Sequence, residues 1–376
     1  MTATFHHVTK PVSYTRRHGL VVTQAARGYS AAWLQWGAPP SIEAPRRPDD
    51  RPAALPMLPS ATVYQKILVP TDGTEESEAA VLQAVITAIQ VNAKVVDILF
   101  ILEPPDSYRG VAGVQSIMVE DVFQALHRSA EAYTKAQVQK MQQFGGASIG
   151  DLKIGTRILE QRDVSAGILQ VAAAGHYDLI ILATHGRRGI SRMLFGSTTE
   201  DLIRKTDVPV MAVHTTASLA AAKVTSCPRF VLVPVDGSEY STRAVKEAIA
   251  FVRSCVDHKD AVISLLNVME PMGSWMSAGD GSAEYAATLS KDLVALANLT
   301  LNDASKLVTQ AGIKVATEID EGYVVDTIVR HAAKSDLVVM GTRGRTGFSR
   351  MMFGSVTESV LRTGVSVPVL CVHLAL

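Results

Sequence analysis

The sequence has few of the features that mark secreted, membrane or nucleic-acid-binding proteins. Its 376 residues include only three cysteines, Cys227, Cys255 and Cys371, and no CxxC pair, so neither a disulfide framework nor a metal site is predicted. No apolar run approaches the ~20 residues that cross a bilayer. Lys and Arg total 36, as do Asp and Glu, so no net charge favours nucleic acid or an anionic membrane. We expect a cytoplasmic protein that binds neither.

The first 60 residues lack the periodicity of helices and strands. They contain several prolines, and the first acidic residue is Glu43, a composition typical of a chain that forms no core. Residues 1–60 are therefore predicted to be a disordered extension. An alternative is that translation begins at Met57. Secretion is not predicted, because no continuous apolar region precedes a cleavage site of small residues.

After this extension the chain repeats itself. KILVPTDGTEESEAAVLQAV from Lys66 returns as FVLVPVDGSEYSTRAVKEAI from Phe230. DLIILATHGRRGISRMLFGSTTE from Asp178 returns as DLVVMGTRGRTGFSRMMFGSVTE from Asp336, with about 14 of 23 positions identical. Such a repeat is too long for a solenoid unit and suits a whole domain. Two domains are predicted, residues 61–215 and 228–376.

In each copy short apolar runs alternate with amphipathic stretches. In the first copy, a strand at 67–70 leads to Thr74 as a helix N-cap, and further strands are predicted at 95–102, 152–159, 179–183 and 208–213, with helices between them. This alternation predicts a parallel sheet covered on both faces. Ligands of such sheets bind beyond the carboxyl ends of the strands, where the strand order reverses.

A glycine-rich loop follows the fourth strand of each copy. In the second copy Gly341, Gly344 and Gly354-Ser355 form the pattern G-x2-G-x9-G-S, which is neither a Walker loop nor G-x-G-x-x-G. Glycine lets backbone amides approach a ligand, and the start of a helix attracts anions. A local polyphosphate site is predicted here, facing Asp236 at the end of the first strand. The alternative is that Asp236 and the glycines serve only capping and turn geometry.

With VPVDGS after the first strand and this loop after the fourth, the chain resembles the universal stress protein family, specifically its tandem-domain, ATP-binding branch, from Lys66 to His373. The resemblance implies an α/β fold of two tandem doubly wound five-stranded parallel sheets, each of order 3-2-1-4-5. This fold is Rossmann-like and similar to the adenine nucleotide alpha hydrolases. The resemblance also implies ATP as the ligand. Mg²⁺ can accompany ATP, although the sequence shows no set of carboxylates dedicated to it.

The resemblance also assigns ligand contacts. In the second copy it places Asp236 near the adenosine and the backbone near Val268 on the adenine. It places the groups of the loop and the following helix on ribose and phosphates: Gly341, Gly344, Arg345, Gly354, Ser355 and Thr357. The first copy keeps Asp72, Gly186, Gly196 and Ser197.

The first copy also departs from the pattern. Ala183 replaces Gly341, and Arg162 is aligned with Gly322. The methyl group of Ala183 is expected to crowd the ribose or to require a backbone φ that alanine disfavours. The first copy is therefore either a weaker ATP site or a degenerate half kept for packing.

Three classes of function stay open. The first is a nucleotide-sensing regulator of stress or dormancy that acts through protein partners, the second a slow ATPase or autophosphorylating enzyme, and the third a nucleotide-free interaction module. No Lys, base and metal-binding carboxylate are recognisable together for phosphoryl transfer, so no catalytic residue is assigned. The apolar last strand of each copy predicts, with the resemblance, that the copies pair as a pseudo-dimer within one chain. A homodimer of the whole chain stays open.

Overall fold

The computed structural model describes residues 64–104, 114–184, 196–214, 227–271, 282–342 and 354–373. The predicted N-terminal extension lies outside these ranges. So do three predicted site residues, Gly186, Gly344 and Arg345.

Both repeats show the predicted alternation of strands and helices within the described ranges. The first repeat forms, in order, β1 (Lys66–Thr71), α1 (Glu75–Val91), β2 (Val95–Leu102), α2 (Val114–Gly145), β3 (Lys153–Glu160), α3 (Val164–Gly175), β4 (Leu179–Ala183), α4 (Ser197–Lys205) and β5 (Val210–Val213). The second forms β6 (Phe230–Pro234), α5 (Glu239–Ser254), β7 (Val262–Met269), α6 (Ser282–Gln310), β8 (Lys314–Glu321), α7 (Val324–Ala332), β9 (Leu337–Gly341), α8 (Ser355–Thr363) and β10 (Val369–Val372).

Local sequence signals set the element boundaries. Thr74 caps α1 as predicted, since its hydroxyl accepts a hydrogen bond from the Ser77 N–H at 3.3 Å. The strand predicted at 208–213 begins two residues later. Val208 still belongs to a turn, because its N–H donates to the Thr206 hydroxyl at 3.0 Å, and Pro209 has no N–H to offer a sheet.

The ten strands form one sheet of order β3-β2-β1-β4-β5-β10-β9-β6-β7-β8. Within each repeat the strands are parallel and follow the predicted order 3-2-1-4-5. The last strands of the repeats, β5 and β10, pair antiparallel, with Met211 opposite Leu370. The pairing of these two strands that the resemblance implied is therefore present. The antiparallel pairing also makes the strands of the two repeats run in opposite directions.

Helices cover both faces of the sheet. One core includes side chains of α1, α2, α5 and α6, and the other includes side chains of α3, α4, α7 and α8. The strands β4, β5 and β10 are buried along their whole length, which explains their continuous apolar runs. None of the helices in the described part of the chain is both long enough and apolar enough to span a bilayer.

A buried polar contact joins the two repeats beside the β5–β10 pair. Tyr64, just before β1, is fully buried, and its hydroxyl donates to Glu247 of α5. Its ring packs edge-on against Phe251, with the ring centroids 5.4 Å apart. The Val256 N–H also donates to the Gln90 carbonyl at 2.8 Å. The start of the first repeat is thus packed against the first long helix of the second.

Candidate functional site

A crevice opens at the centre of each repeat. In the second repeat, β6 and β9 pair only at Val231 and Leu232 of β6. Beyond that point β6 stays paired with β7 as far as Pro234, and β9 with β10 as far as Gly341. The two central strands therefore separate before they end, where the strand order reverses. This is the position at which open α/β sheets bind ligands.

Asp236 lies on one side of this crevice, in the turn between β6 and α5. Its Oδ1 accepts hydrogen bonds from the Ser238 N–H at 3.0 Å and the Ser238 hydroxyl at 2.6 Å. Gly237 between them has a φ of 83°, a conformation that favours glycine. Asp236 thus shapes the start of α5, as the capping alternative states. A carboxylate has acceptor sites for further bonds, so this role is compatible with a ligand contact.

The other side of the crevice is formed by the end of β9 and the start of α8. The Gly354 N–H donates to the Thr342 carbonyl at 2.7 Å, and the Thr357 hydroxyl donates to the Gly341 carbonyl at 2.7 Å. These bonds hold the end of β9 against the start of α8. Gly354 is the N-cap and supplies no side-chain hydrogen bond to the helix, while Ser355 opens its first turn. The helix start that was predicted to attract anions therefore lies at the crevice.

Thr357 has a structural role that the sequence did not indicate. Its side chain is buried, and its hydroxyl is used in the bond to Gly341. The predicted ligand contact for Thr357 stays a prediction beside this role.

Gly341 has a packing role that the sequence did not indicate, and its predicted role of letting a ligand approach stays a prediction. Its φ is not positive, so alanine would not be disfavoured by the backbone conformation. A Cβ at Gly341 would instead lie 2.7 Å from the carbonyl oxygen of Tyr240, in the first turn of α5. The close neighbour is thus the protein's own backbone, and the glycine lets α5 pack tightly over the end of β9.

Thr342 was not singled out from the sequence. It is 2% exposed, and no group in the described part of the chain bonds its side-chain oxygen. Leaving a buried hydroxyl without a partner costs about 1–3 kcal/mol. A ligand, or a loop that rearranges around a ligand, would offer such a partner. The signal was present in the sequence, because the residue recurs in the first repeat as Thr184.

The first repeat has the same framework. Strands β1 and β4 pair only at Ile67 and Leu68 of β1, and Asp72 accepts bonds from the N–H and hydroxyl of Thr74 at 3.1 and 2.6 Å. The Gly196 N–H donates to the Thr184 carbonyl at 2.9 Å, just before Ser197 opens α4.

Ala183 also fits this framework. It is buried, and its carbonyl accepts a bond from the Thr199 hydroxyl at 3.1 Å. The choice between a weaker ATP site and a degenerate half kept for packing stays open for the first repeat.

The alignment of Arg162 with Gly322 is wrong by one residue. The Gln161 N–H donates to Leu102 at the end of β2, and the Gly322 N–H donates to Met269 at the end of β7, both at 3.0 Å. Gln161 is therefore the counterpart of Gly322. The difference arises because the turn after β3 is one residue longer than the turn after β8.

Two further observations concern the outer strands. Val268, predicted to lie at the adenine, is half-buried near the end of β7 and is paired with Asp320 of β8. Asp320, Glu318 and His331 form a group that has the ligand atoms for a metal ion. However, the Asp320 carboxylate already contacts His331 at 2.7 Å and Arg330 at 2.8 Å. We interpret the group as an ion-pair network.

Comparisons with known proteins identify the family. The model of the universal stress protein family matches residues 63–214 and again residues 229–373. A universal stress protein of Mycolicibacterium smegmatis is 24% identical over 317 residues, which cover 84% of this chain and 99% of that protein. One of Methanocaldococcus jannaschii is 34% identical over 134 residues, 35% of this chain and 75% of that protein.

A solved structure agrees at the level of fold. The universal stress protein of Archaeoglobus fulgidus has a TM-score of 0.54 and 22% identity, with 83% of this chain and 98% of that one covered. Because the family model matches both repeats and most of the chain, this protein belongs to the universal stress protein family, in which it is a tandem member.

Proposed function

We propose that this protein is an ATP-binding regulator of a stress or dormancy response, with its main nucleotide site in the crevice of the second repeat. The observation that carries the proposal is the separation of β6 from β9 beyond Leu232. It leaves Asp236 on one side and the start of α8 on the other. A nucleotide fits this pair of surfaces, since it has a sugar that donates hydrogen bonds and phosphates that accept them.

The proposed binding mode follows from the charge at each surface. The amides and dipole at the start of α8, at Gly354 and Ser355, favour the phosphates. Asp236 accepts from the ribose, and the backbone near Val268 contacts the adenine. Arg345 offsets phosphate charge, and Mg²⁺ accompanies the nucleotide without a carboxylate set of its own.

The first experiment identifies the ligand. The full chain is purified gently and denatured, and the released small molecules are analysed by mass spectrometry. We expect ATP or ADP in substoichiometric to stoichiometric amount. A flavin would contradict the proposal, and so would a protein that releases no nucleotide and shows no heat of ATP binding in calorimetry.

The second experiment locates the main site. Asp236→Asn keeps an oxygen that accepts the Ser238 bonds and removes the negative charge. Loss of one charge-assisted bond costs about 1.5–3 kcal/mol, so affinity should fall roughly ten- to hundredfold. Asp72→Asn is the matched control in the first repeat. It should leave the high-affinity phase of ATP binding, as measured by calorimetry, intact. Equal losses would mean equivalent sites, and tight binding retained in Asp236→Asn would place the main site elsewhere.

Hydrolysis is tested on the same samples. If the protein only binds ATP, the ATP incubated with it should stay unhydrolysed over hours. ADP that accumulates in the wild type and not in Asp236→Asn would show instead that the crevice is a slow ATPase site.

A further inference from the structure

A pocket of about 350 Å³ lies in the first repeat, near the amino ends of β1 and β4. Its lining includes three basic side chains, Lys66, Arg157 and His176, and the apolar residues Val171 and Ala174. Pockets that hold small molecules begin at about 300 Å³, so this one has room for more than a single ion. It lies at the opposite edge of the sheet from the crevice of the same repeat, which is at the carboxyl ends of the strands.

The turn after α3 forms one wall of the pocket. His176 ends α3 in a left-handed conformation, with a φ of 51°. Tyr177 then reaches the sheet, where its hydroxyl donates to the buried carboxylate of Asp97 in β2. Gly175 leaves space for this, because a Cβ there would lie 2.2 Å from the Tyr177 ring. The turn that carries His176 is therefore anchored to β2, which fixes the wall of the pocket before any ligand binds.

The other two basic side chains keep hydrogen-bond donors for a ligand. Arg157 Nε donates to Asp97 at 3.2 Å, and Lys66 Nζ donates to the Gly175 carbonyl. Each contact uses only part of the donors, since a guanidinium has five N–H groups and an ammonium three. Asp97 offsets one of the two positive charges. Asp178 accepts from the backbone N–H of Lys66 at 2.8 Å, but it is not among the residues that line the pocket.

The second repeat forms the same fold without this set of residues. In the first repeat a Cβ on Gly155 would lie 2.1 Å from the Asp97 carboxylate, so the glycine is needed to accommodate the charged side chain. The strand registers show which residues take the equivalent positions. Lys66, Asp97, Gly155 and Arg157 are matched by Phe230, Ser264, Ala316 and Glu318. The four positions differ together, and the fold does not require the first set, which points to a role that only the first repeat has.

We propose that this pocket binds a small organic phosphate monoester. Lys66 on β1, Arg157 on β3 and His176 after α3 each offer N–H donors, and a monoester phosphate presents three acceptor oxygens to them. A guanidinium suits a phosphate in particular, because its planar fork can donate two parallel hydrogen bonds. Val171 and Ala174 give the organic part of the ligand an apolar surface. The site is separate from the proposed ATP crevice and takes a different ligand.

The experiment titrates the full chain with phenyl phosphate in the absence of ATP and follows the histidine side chains by NMR after selective labelling. The chain has ten histidines. The signal of His176 is identified by its absence from the spectrum of His176→Asn, since asparagine tolerates a positive φ. We expect this signal in the wild type to move with phenyl phosphate until it saturates. Phenol, which has the same ring without the phosphate, should leave it unchanged.

A matched pair of variants tests the role of the guanidinium. Arg157→Gln removes a charged donor from the pocket and should weaken phenyl phosphate binding about tenfold or more. Arg330→Gln in the second repeat is the control. Arg330 is 56% exposed and bonded to Asp320, much as Arg157 is 53% exposed and bonded to Asp97, and its replacement should leave the affinity unchanged.

Three outcomes would overturn the proposal. One is a His176 signal that stays fixed during the phenyl phosphate titration. The second is an equal shift with phenol, and the third is an equal loss of affinity in the two arginine variants. The first two are read from the wild type, so they do not depend on whether a variant folds. Because no ATP is used, each of them would leave the proposed nucleotide site untouched.

Discussion

Replacing Gly341 with alanine tests how tightly α5 packs over the end of β9. The new Cβ would lie 2.7 Å from the Tyr240 oxygen, and 2.8 and 2.9 Å from two other Tyr240 atoms. Ordinary contacts begin at 3.4 Å, so the overlap is 3.4 − 2.7 = 0.7 Å. The two nearest atoms are backbone, and no change of rotamer relieves the clash. We expect the free energy of unfolding to fall by about 1–3 kcal/mol.

The first measurement is the midpoint of urea unfolding, monitored by circular dichroism, in the variant and the wild type. The second is ATP affinity, measured by calorimetry. Shifting the end of β9 also moves one side of the crevice, so ATP affinity should fall in the same variant. Ala183→Gly is the matched control. It removes a methyl group that already fits and should cost only about 0.5–1 kcal/mol through backbone entropy. A wild-type urea midpoint for Gly341→Ala would refute the predicted clash with Tyr240.

Three other predictions follow from single contacts. Thr342→Val removes a hydroxyl that has no partner among the described residues. The ligand-free protein should therefore keep or gain stability, by up to about 1–3 kcal/mol, while ATP should raise the melting temperature less than in the wild type. A less stable ligand-free variant would contradict this. Burial and then the bond to Asp97 raise the pKa of Tyr177 from 10.0 to about 12. Because the pKa of Tyr177 is higher in the folded state, the contribution of its protonated form to stability is fully present below pH 10 and is lost as the pH rises towards 12. Between pH 10 and 12 the melting temperature should fall more steeply in the wild type than in Tyr177→Phe. If the two plots of melting temperature against pH were parallel, Tyr177 would not be the cause of the loss. Cutting the chain near residue 220 should leave the two repeats associated in size-exclusion chromatography, because the β5–β10 pair and the Tyr64–Glu247 bond hold them together. Two separate soluble halves would contradict this prediction.

The alternation of strands and helices could be predicted because each element carries its own signal. The apolar runs of β4 and β10 are buried on both faces, and Thr74 caps α1 through its own side chain. Signals of this kind depend on neighbours in sequence. The errors occurred in turns, where one residue more or less leaves no trace in the periodicity. The alignment of Arg162 is the example.

The candidate site was predictable only in part. Asp236 and Gly354 were placed correctly at the ends of their elements, because each borders a strand or a helix. The reason for Gly341 was not predictable, since Tyr240 approaches it from a helix about 100 residues earlier in the chain. The contact of Tyr64 with Glu247 likewise depends on tertiary packing.

The antiparallel pairing of β5 with β10 determines how the two crevices can influence each other. Since β5 and β10 run in opposite directions and each repeat is otherwise parallel, the carboxyl ends of the two repeats lie at opposite edges of the sheet. Two bound ligands would therefore share no surface. In each repeat, however, the residue just after the fourth strand is bonded to the last strand. The Thr342 N–H donates to the Val372 carbonyl and the Thr184 N–H to the Val213 carbonyl, both at 3.0 Å. A displacement at Thr342 or Thr184 would therefore act on one of the two strands, β10 or β5, that pair between the repeats.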